Sequence, residues 1–289
     1  MALERIVPAN EGDEKYPGIV QLLGKKNLSA EAVLSNIQEN ICRQLPQLSL
    51  FGKQETRVAI ACGGPSLKTH LKTLRRQVDK GFKLITVNGT HDYLLDNGFT
   101  PSLFMMVDAR QWNVRFVQRP VKSCTYFIAS QCHPDVFEAL RDHDKVYIFH
   151  IDVGAEDSAT AKILDKYYFK RYIKIVGGST VTVNALMLLH HLGFHYYDIF
   201  GFDSCFLNGK HHSYDQPENT EKAYRVVAKW AGKEKVFYCA CWQMRQMYDF
   251  QMLIRAIPDD YFKCRVHGAG LISYMMRTGC EIDITETEE

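Results

Sequence analysis

From Arg57 onward the chain alternates short apolar runs with longer amphipathic stretches. The apolar runs predict strands near Val58–Cys62, Lys83–Val87, Leu103–Val107, Tyr126–Ala129, Val146–Phe149, Tyr197–Phe200 and Lys235–Tyr238. The stretches between them predict helices over Leu67–Val78, His91–Asn97, Pro134–Leu140, Ser158–Tyr167, Thr180–Leu192, Glu221–Ala231 and Trp242–Ile257. Alternation of this kind builds a mostly parallel sheet covered on both faces, so the expected fold class is α/β, doubly wound and Rossmann-like. Ahead of it, Ala32, Val33, Ile37, Ile41 and Leu45 recur at helical spacing behind Ser29, a capping residue, with Glu31 in the first turn. The organisation expected is a helical appendage over 1–50, the main domain over 51–280 and an acidic tail over 281–289 that frays.

In parallel sheets ligands bind outside the C-terminal ends of the strands. The polar clusters with chemical potential all follow predicted strands: Gly63–Ser66, Asn88–Thr90, Asp108–Arg110, Ser130–Gln131, Asp152 and Asp203. The first lies in RVAIACGGPSL, a buried strand running into a helix start. Gly63 and Gly64 allow a sharp turn and close approach of a ligand, Pro65 suits an early helical position, and Ser66 can cap. Amides at such a helix start attract phosphate or carboxylate, and the plain alternative is a tight turn with no ligand. Gly177, Gly178, Ser179 and Thr180 open a second helix in the same way. Asn88, followed by Gly89, either reads a base or sugar edge or starts a turn. Asp108 is either a ligand for Mg²⁺ beside a phosphate or a carboxylate paired with Arg110.

The segment IFGFDSCFLNGKHHSYDQPEN is the richest in chemistry. Asp203 lies just past a strand, Asn208-Gly209 marks a tight turn, and His211, His212, Tyr214 and Asp215 follow in a loop expected to be exposed and mobile. A histidine beside a phosphate site suits a general base in a transferase. Adjacent histidines fit zinc spacing poorly.

Composition narrows the partners. The net charge of +2 over 289 residues gives no support to general nucleic-acid or membrane-surface binding. No apolar run is long enough to cross a bilayer, and the charged N-terminus has no apolar signal core, so a cytoplasmic protein is expected. Nine cysteines without a regular framework are expected to be reduced, with Cys62, Cys124, Cys132 and Cys205 as small core residues. The many Tyr and Phe residues serve a core or the interface of a homo-oligomer equally well.

Taken in order, these motifs resemble the superfamily of 6-hydroxymethylpterin diphosphokinase (MptE)-like proteins. That superfamily includes the motility accessory factor glycosyltransferases and, more distantly, bacterial CMP-sialic-acid sialyltransferases. The resemblance rests on IACGGPSLKTHL at Ile60–Leu71, GGSTVTVNALMLLHHLGFHYYDIFGFD at Gly177–Asp203 and NGKHHSYD at Asn208–Asp215. It implies a nucleotide-dependent transferase domain over 51–280. The favoured activity is a glycosyltransferase moving a sugar from a nucleotide-activated, CMP-type donor to a hydroxyl acceptor. The nucleotide-binding set implied is Gly63, Gly64, Pro65, Ser66, Asn88, Gly89, Asp108, Ser130, Gln131, Gly178, Ser179, Thr180 and Tyr214. The catalytic set implied is His212, His211 and Asp203, with His212 or His211 as the base, and no cofactor is required. The alternative is pyrophosphoryl transfer from ATP with Mg²⁺ on Asp108. Here VDAR supplies one carboxylate where the diphosphokinases carry a pair. A further alternative is a nucleotide-binding module without catalysis.

Overall fold

The computed structural model of the chain describes residues 28–152, 159–216 and 222–285, with the side chains of 283–285 left out. In chain order the elements are α1 (Ala30–Ile41), β1 (Val58–Ala61), α2 (Leu67–Asp79), β2 (Lys83–Val87), α3 (Thr90–Asp96), β3 (Leu103–Met106), a 3₁₀ helix (Gln111–Val117), β4 (Thr125–Ala129), α4 (Pro134–Ala139), β5 (Val146–Asp152), α5 (Ala159–Tyr168), β6 (Lys174–Val176), α6 (Val181–His191), β7 (Tyr196–Phe200), β8 (Tyr224–Trp230), β9 (Lys233–Cys239), α7 (Cys241–Ala256), β10 (Lys263–His267), α8 (Leu271–Thr278) and β11 (Glu281–Thr285). The chain is a doubly wound α/β protein with mostly parallel strands. It divides into two units, one with Arg57–Phe82 and Tyr196–Glu289, the other with Lys26–Thr56 and Lys83–His195.

In the first unit, β7 lies between β1 and β10, parallel to both, with Ala61 opposite Phe200 and Phe200 opposite His267. All four residues of β1 are buried, as a central parallel strand requires. α2 buries Leu67 and Leu74 against this layer and leaves its charged face to solvent. A second sheet pairs β11, β8 and β9 antiparallel. β8 and β9 form a hairpin whose two turn residues, Ala231 and Gly232, both have positive φ, as the twist of a two-residue hairpin loop demands.

The second unit is a run of parallel strands in the order β2-β3-β4-β5-β6. Their C-terminal ends therefore share one edge. Thr182 to Leu189 of α6 are buried without interruption, so this helix is apolar all round. α1 packs on α4 and α5, with Ile37 and Ile41 against Leu164.

Three expectations change. The helix expected over Glu221–Ala231 is not found at 222–231, where Tyr224–Trp230 is strand β8; Glu221 lies outside the described residues. Its Tyr, Val and Trp residues suit a pleated sheet, and the consecutive Val226 and Val227, which point to opposite faces, are both buried. That double burial blurs the alternation that marks a strand. The start of the acidic tail does not fray, because Glu281–Thr285 pairs with β8; residues 286–289 lie outside the described residues, as does Ser158 at the start of a predicted helix. β6, β10 and α8 were not predicted. β10, KCRVH, is an edge strand with charges in alternate positions and carries no apolar run. Among the described residues, no helix is long and apolar enough to cross a membrane. All nine cysteines are free thiols, and Cys62, Cys124, Cys132 and Cys205 are buried.

Candidate functional site

In the first unit three strand ends meet. β1 continues through Cys62, whose amide donates to Phe200 O (2.8 Å), into the Gly63-Gly64-Pro65-Ser66 turn. Gly64 N donates to Gly201 O (2.8 Å). Ser66 N donates to Asp203 Oδ2 (2.8 Å), so a side-chain carboxylate sits at the start of α2 where a bound anion would otherwise be sought. Leu67 N and Thr69 N turn back to Gly64 O (3.1 Å) and Ser66 O (3.2 Å). A β-carbon on Gly64 would run into the Gly201 carbonyl and the Asp203 carboxylate, so glycine is required there for contact reasons.

The third strand end is His267-Gly268-Ala269-Gly270, after β10. Gly268 has φ +135° and packs on Ser66, while Gly270 packs on the Asp203 backbone. Asp203 is almost fully buried among these turns. Burial raises its pKa, opposed by hydrogen bonds from Ser66 and Gly270 and by the nearby His70. His70 Nδ1 lies 2.8 Å from Ser66 O, and His267 Nε2 lies 3.1 Å from Asp198 Oδ1. The His267 ring stacks on Phe200 at 4.2 Å.

The histidine loop folds over the glycine turn. Asn208 and Gly209, both at positive φ, reverse the chain, and Leu207 N donates to Lys210 O (2.8 Å). Ser213 N then donates to Gly63 O (2.8 Å), and Ser213 Oγ to Gly64 O (2.7 Å). This loop is half-buried and packed at His211, His212 and Tyr214, not exposed as expected there; Asn208, Gly209 and Asp215 are exposed. A β-carbon on Gly63 would lie 2.6 Å from His212 Cδ2 and 2.8 Å from the Tyr214 hydroxyl, so both side chains rest on Gly63. His212 stacks on Trp242 at 6.1 Å and tilts against Tyr214 at 5.4 Å. Its Nδ1 lies 3.3 Å from His211 Nδ1, and His211 stacks on Phe206. Burial, and then the neighbouring His211, push the His212 pKa down to about 3. The ring is therefore neutral at physiological pH, with an acceptor nitrogen.

The remaining predicted residues belong to the second unit, at the shared C-terminal edge. Asn88 follows β2 at φ 46°; its amide donates to Met105 O (3.3 Å), and its buried Oδ1 has no hydrogen-bond partner. Gly89 is the N-cap residue of α3, and Thr90 Oγ1 accepts from Val87 N (2.9 Å). Asp108, after β3, is taken up by Arg110: Oδ1 accepts from Arg110 N (3.0 Å) and Nε (2.9 Å), and Oδ2 from Nη2 (2.5 Å). The same guanidinium lies over Trp112, which is exposed. After β4, Ser130 N donates to Phe149 O (2.8 Å) and Gln131 Nε2 to Val107 O (2.6 Å). After β6, Gly178 N donates to Asn184 Oδ1 (3.1 Å), and Asn184 Nδ2 donates to Gly178 O (2.9 Å) and Thr180 O (2.7 Å). Ser179 is exposed, and the buried Thr180 Oγ1 has no hydrogen-bond partner.

The structure thus gathers Gly63, Gly64, Ser66, Asp203, His211, His212 and Tyr214 in one unit. It sets Asn88, Gly89, Asp108, Ser130, Gln131 and Gly178–Thr180 on the strand-end edge of the other. Several participants escaped the sequence reading, among them Ser213, which ties the histidine loop to Gly63 and Gly64. Gly268 and Gly270 sit in HGAG, a glycine-rich strand–helix turn visible in the sequence once β10 is known. Trp242 and Asn184 give weaker signals, one an aromatic at a helix start, the other a lone carboxamide inside an apolar helix.

No match is found among curated proteins. Among solved structures, MAf glycosyltransferase from Magnetospirillum magneticum AMB-1 aligns with a TM-score of 0.58 at 15% identity, covering 92% of this chain and 42% of that one. This chain therefore spans less than half the length of that protein, and the likeness is one of fold. A mammalian sialyltransferase, solved in complex with Gal-beta-1-3GalNAc-ortho-nitrophenol, aligns with a TM-score of 0.42 at 12% identity, covering 90% of this chain and 87% of that one. The model of one family, 6-hydroxymethylpterin diphosphokinase MptE-like, matches residues 31–209, from α1 through β7 to the Asn208-Gly209 turn. The chain belongs to the MptE-like family.

Proposed function

We propose that the chain is a nucleotide-dependent transferase, and that it moves a sugar from a nucleotide-activated, CMP-type donor to a hydroxyl acceptor. The observation that carries this reading is the histidine loop seated on the glycine turn, with a neutral imidazole and a phenol against Gly63. Asp203 takes up the Ser66 amide, so its carboxyl group shapes the turn from within, and its role is positioning. The donor phosphate is assigned to the polar atoms that His212 and Tyr214 present beside the glycine turn. Preorganised donors of this kind stabilise charge that develops on a leaving phosphate. His212 accepts the proton of the attacking hydroxyl; with a pKa near 3 in the free protein, it gains basicity only when an anion binds beside it. By itself, the second unit carries, on Asn88, Ser130, Gln131, Ser179 and Thr180, amide and hydroxyl groups of the kind that read a base or a ribose. No metal is required in this reading, and the protein is expected to work in the cytoplasm.

The family model favours a second reading, pyrophosphoryl transfer from ATP with Mg²⁺. Mg²⁺ takes one or two carboxylates together with phosphate oxygens. Asp108, the residue that would hold it, has both oxygens bound by Arg110, so this carboxylate does not fit the ion.

Calorimetric titration with CMP and with ATP, each with and without Mg²⁺, separates the readings. Binding of CMP without metal, lost in Gly63→Ala, is expected. Binding of ATP that requires Mg²⁺ and is lost in Asp108→Asn gives the second reading instead. Binding of neither nucleotide overturns both.

A further inference from the structure

Helix α1 has two seats. One is apolar, Ile37 and Ile41 on Leu164. The other is made by Asn36 and Asn40, which are four residues apart, lie on one helix face and are buried. Asn36 Nδ2 donates to Ala109 O (3.2 Å) and Gln131 O (3.1 Å). Asn40 Nδ2 donates to Ser130 O (3.0 Å) and Cys132 O (2.7 Å). All four acceptors are backbone carbonyls, and they lie in the two loops that leave the C-terminal ends of β3 and β4. Asn36 ties one loop to the other. Asn40 holds the second loop on either side of Gln131, and Gln131 itself reaches back to Val107 O. Asn40 Oδ1 is buried without a partner, so this carboxamide is present for its two donor hydrogens. Mere seating of the helix would be served as well by an apolar side chain.

We propose that α1 is the positioning element of these two loops, and that Asn36 and Asn40 are positioning residues that fix Asp108, Ser130 and Gln131 in place. The helix that precedes the main domain in sequence is then part of the working edge. The consequence for ligand affinity rests on the transferase reading; the consequence for the loops does not.

The test is hydrogen exchange on the full chain, together with nucleotide titration, for Asn40→Asp, Asn36→Ala and Ile37→Val. Asn40→Asp keeps the shape and turns two donors into an oxygen facing carbonyls; if it does not fold, Asn36→Ala decides. The asparagine variants should speed exchange in peptides covering 107–112 and 130–133 by about tenfold or more, with 181–192 unchanged. They should also weaken CMP, or ATP with Mg²⁺, by about tenfold at a temperature where each variant is folded, while Ile37→Val leaves affinity as in the parent. Ile37→Val loosens the apolar seat and should leave loop exchange as in the parent. Wild-type loop exchange in the asparagine variants, or equal loosening by Ile37→Val, overturns the proposal. If the parent protein binds neither nucleotide, the transferase reading fails while the exchange result still judges the clamp.

Discussion

Gly63 and Gly64 differ in what a side chain would meet, and that difference separates binding from stability. At Gly63 the obstacles are the rings of His212 and Tyr214, which a methyl group can push aside with their loop. Gly63→Ala is therefore expected to fold, and to lower nucleotide affinity by at least about tenfold in a titration. At Gly64 the obstacles are a backbone carbonyl and a buried carboxylate. Gly64→Ala is expected to cost about 2–4 kcal/mol in a urea unfolding curve. His212 carries a second expectation. Because it is neutral above about pH 3 in the free protein, the kcat/KM profile should show no acid limb near 6.5 that belongs to it. His212→Ala should lower turnover by about a hundredfold. A limb near 6.5 that disappears in that variant would remove the neutral base from the mechanism. At this scale the sequence shows residue types well and their partners poorly. The glycine turn and the Asn208-Gly209 reversal are readable because their chemistry is local. That Asp203 would lie against Ser66, across a long loop of chain, follows only from the parallel pairing of β1 with β7.

Elements were legible where burial is one-sided or complete, and illegible where charge decorates a strand. The runs at β1 to β5 and β7 read directly as strands, and α2 reads from its apolar stripe. β8 misleads because both its faces are covered, and β10 because it lies at an edge. The carboxamides of Asn36, Asn40 and Asn184 give no warning, since a lone polar residue on a helix is ordinarily solvated. Within β5, His150 is buried against Tyr168 and Tyr172 with no hydrogen bond to either ring nitrogen. Burial pushes its pKa down to about 4. Between that value and the ordinary 6.5, the unfolded chain binds a proton that the folded chain does not, so stability falls as pH falls through this window. At pH 5 the loss from this one group is about 2 kcal/mol relative to pH 7. His212 adds a loss of the same sign. His150→Phe, which keeps the aromatic contacts, should remove about half of the difference between urea midpoints at pH 7 and pH 5; an unchanged difference would show that His150 is protonated without cost.

For the molecule as a whole, fold class follows from the order of elements, and it was legible because a doubly wound α/β chain repeats one pattern many times. The reaction was not, because it depends on what the strand-end loops hold. Cys124, Cys132, Cys205 and Cys239 are buried thiols whose pKa burial pushes well up, and Cys264 is pushed up to about 11. Thiols held protonated react slowly with electrophiles. Cys42 is the exposed cysteine, at the C-cap of α1 and two residues from Asn40. A maleimide dye added to the native protein should therefore attach first at Cys42, read out by peptide mass mapping. Nature has left a fluorophore socket beside the asparagine ties, so the wild-type chain can report optically on whether its loops tighten when a nucleotide arrives.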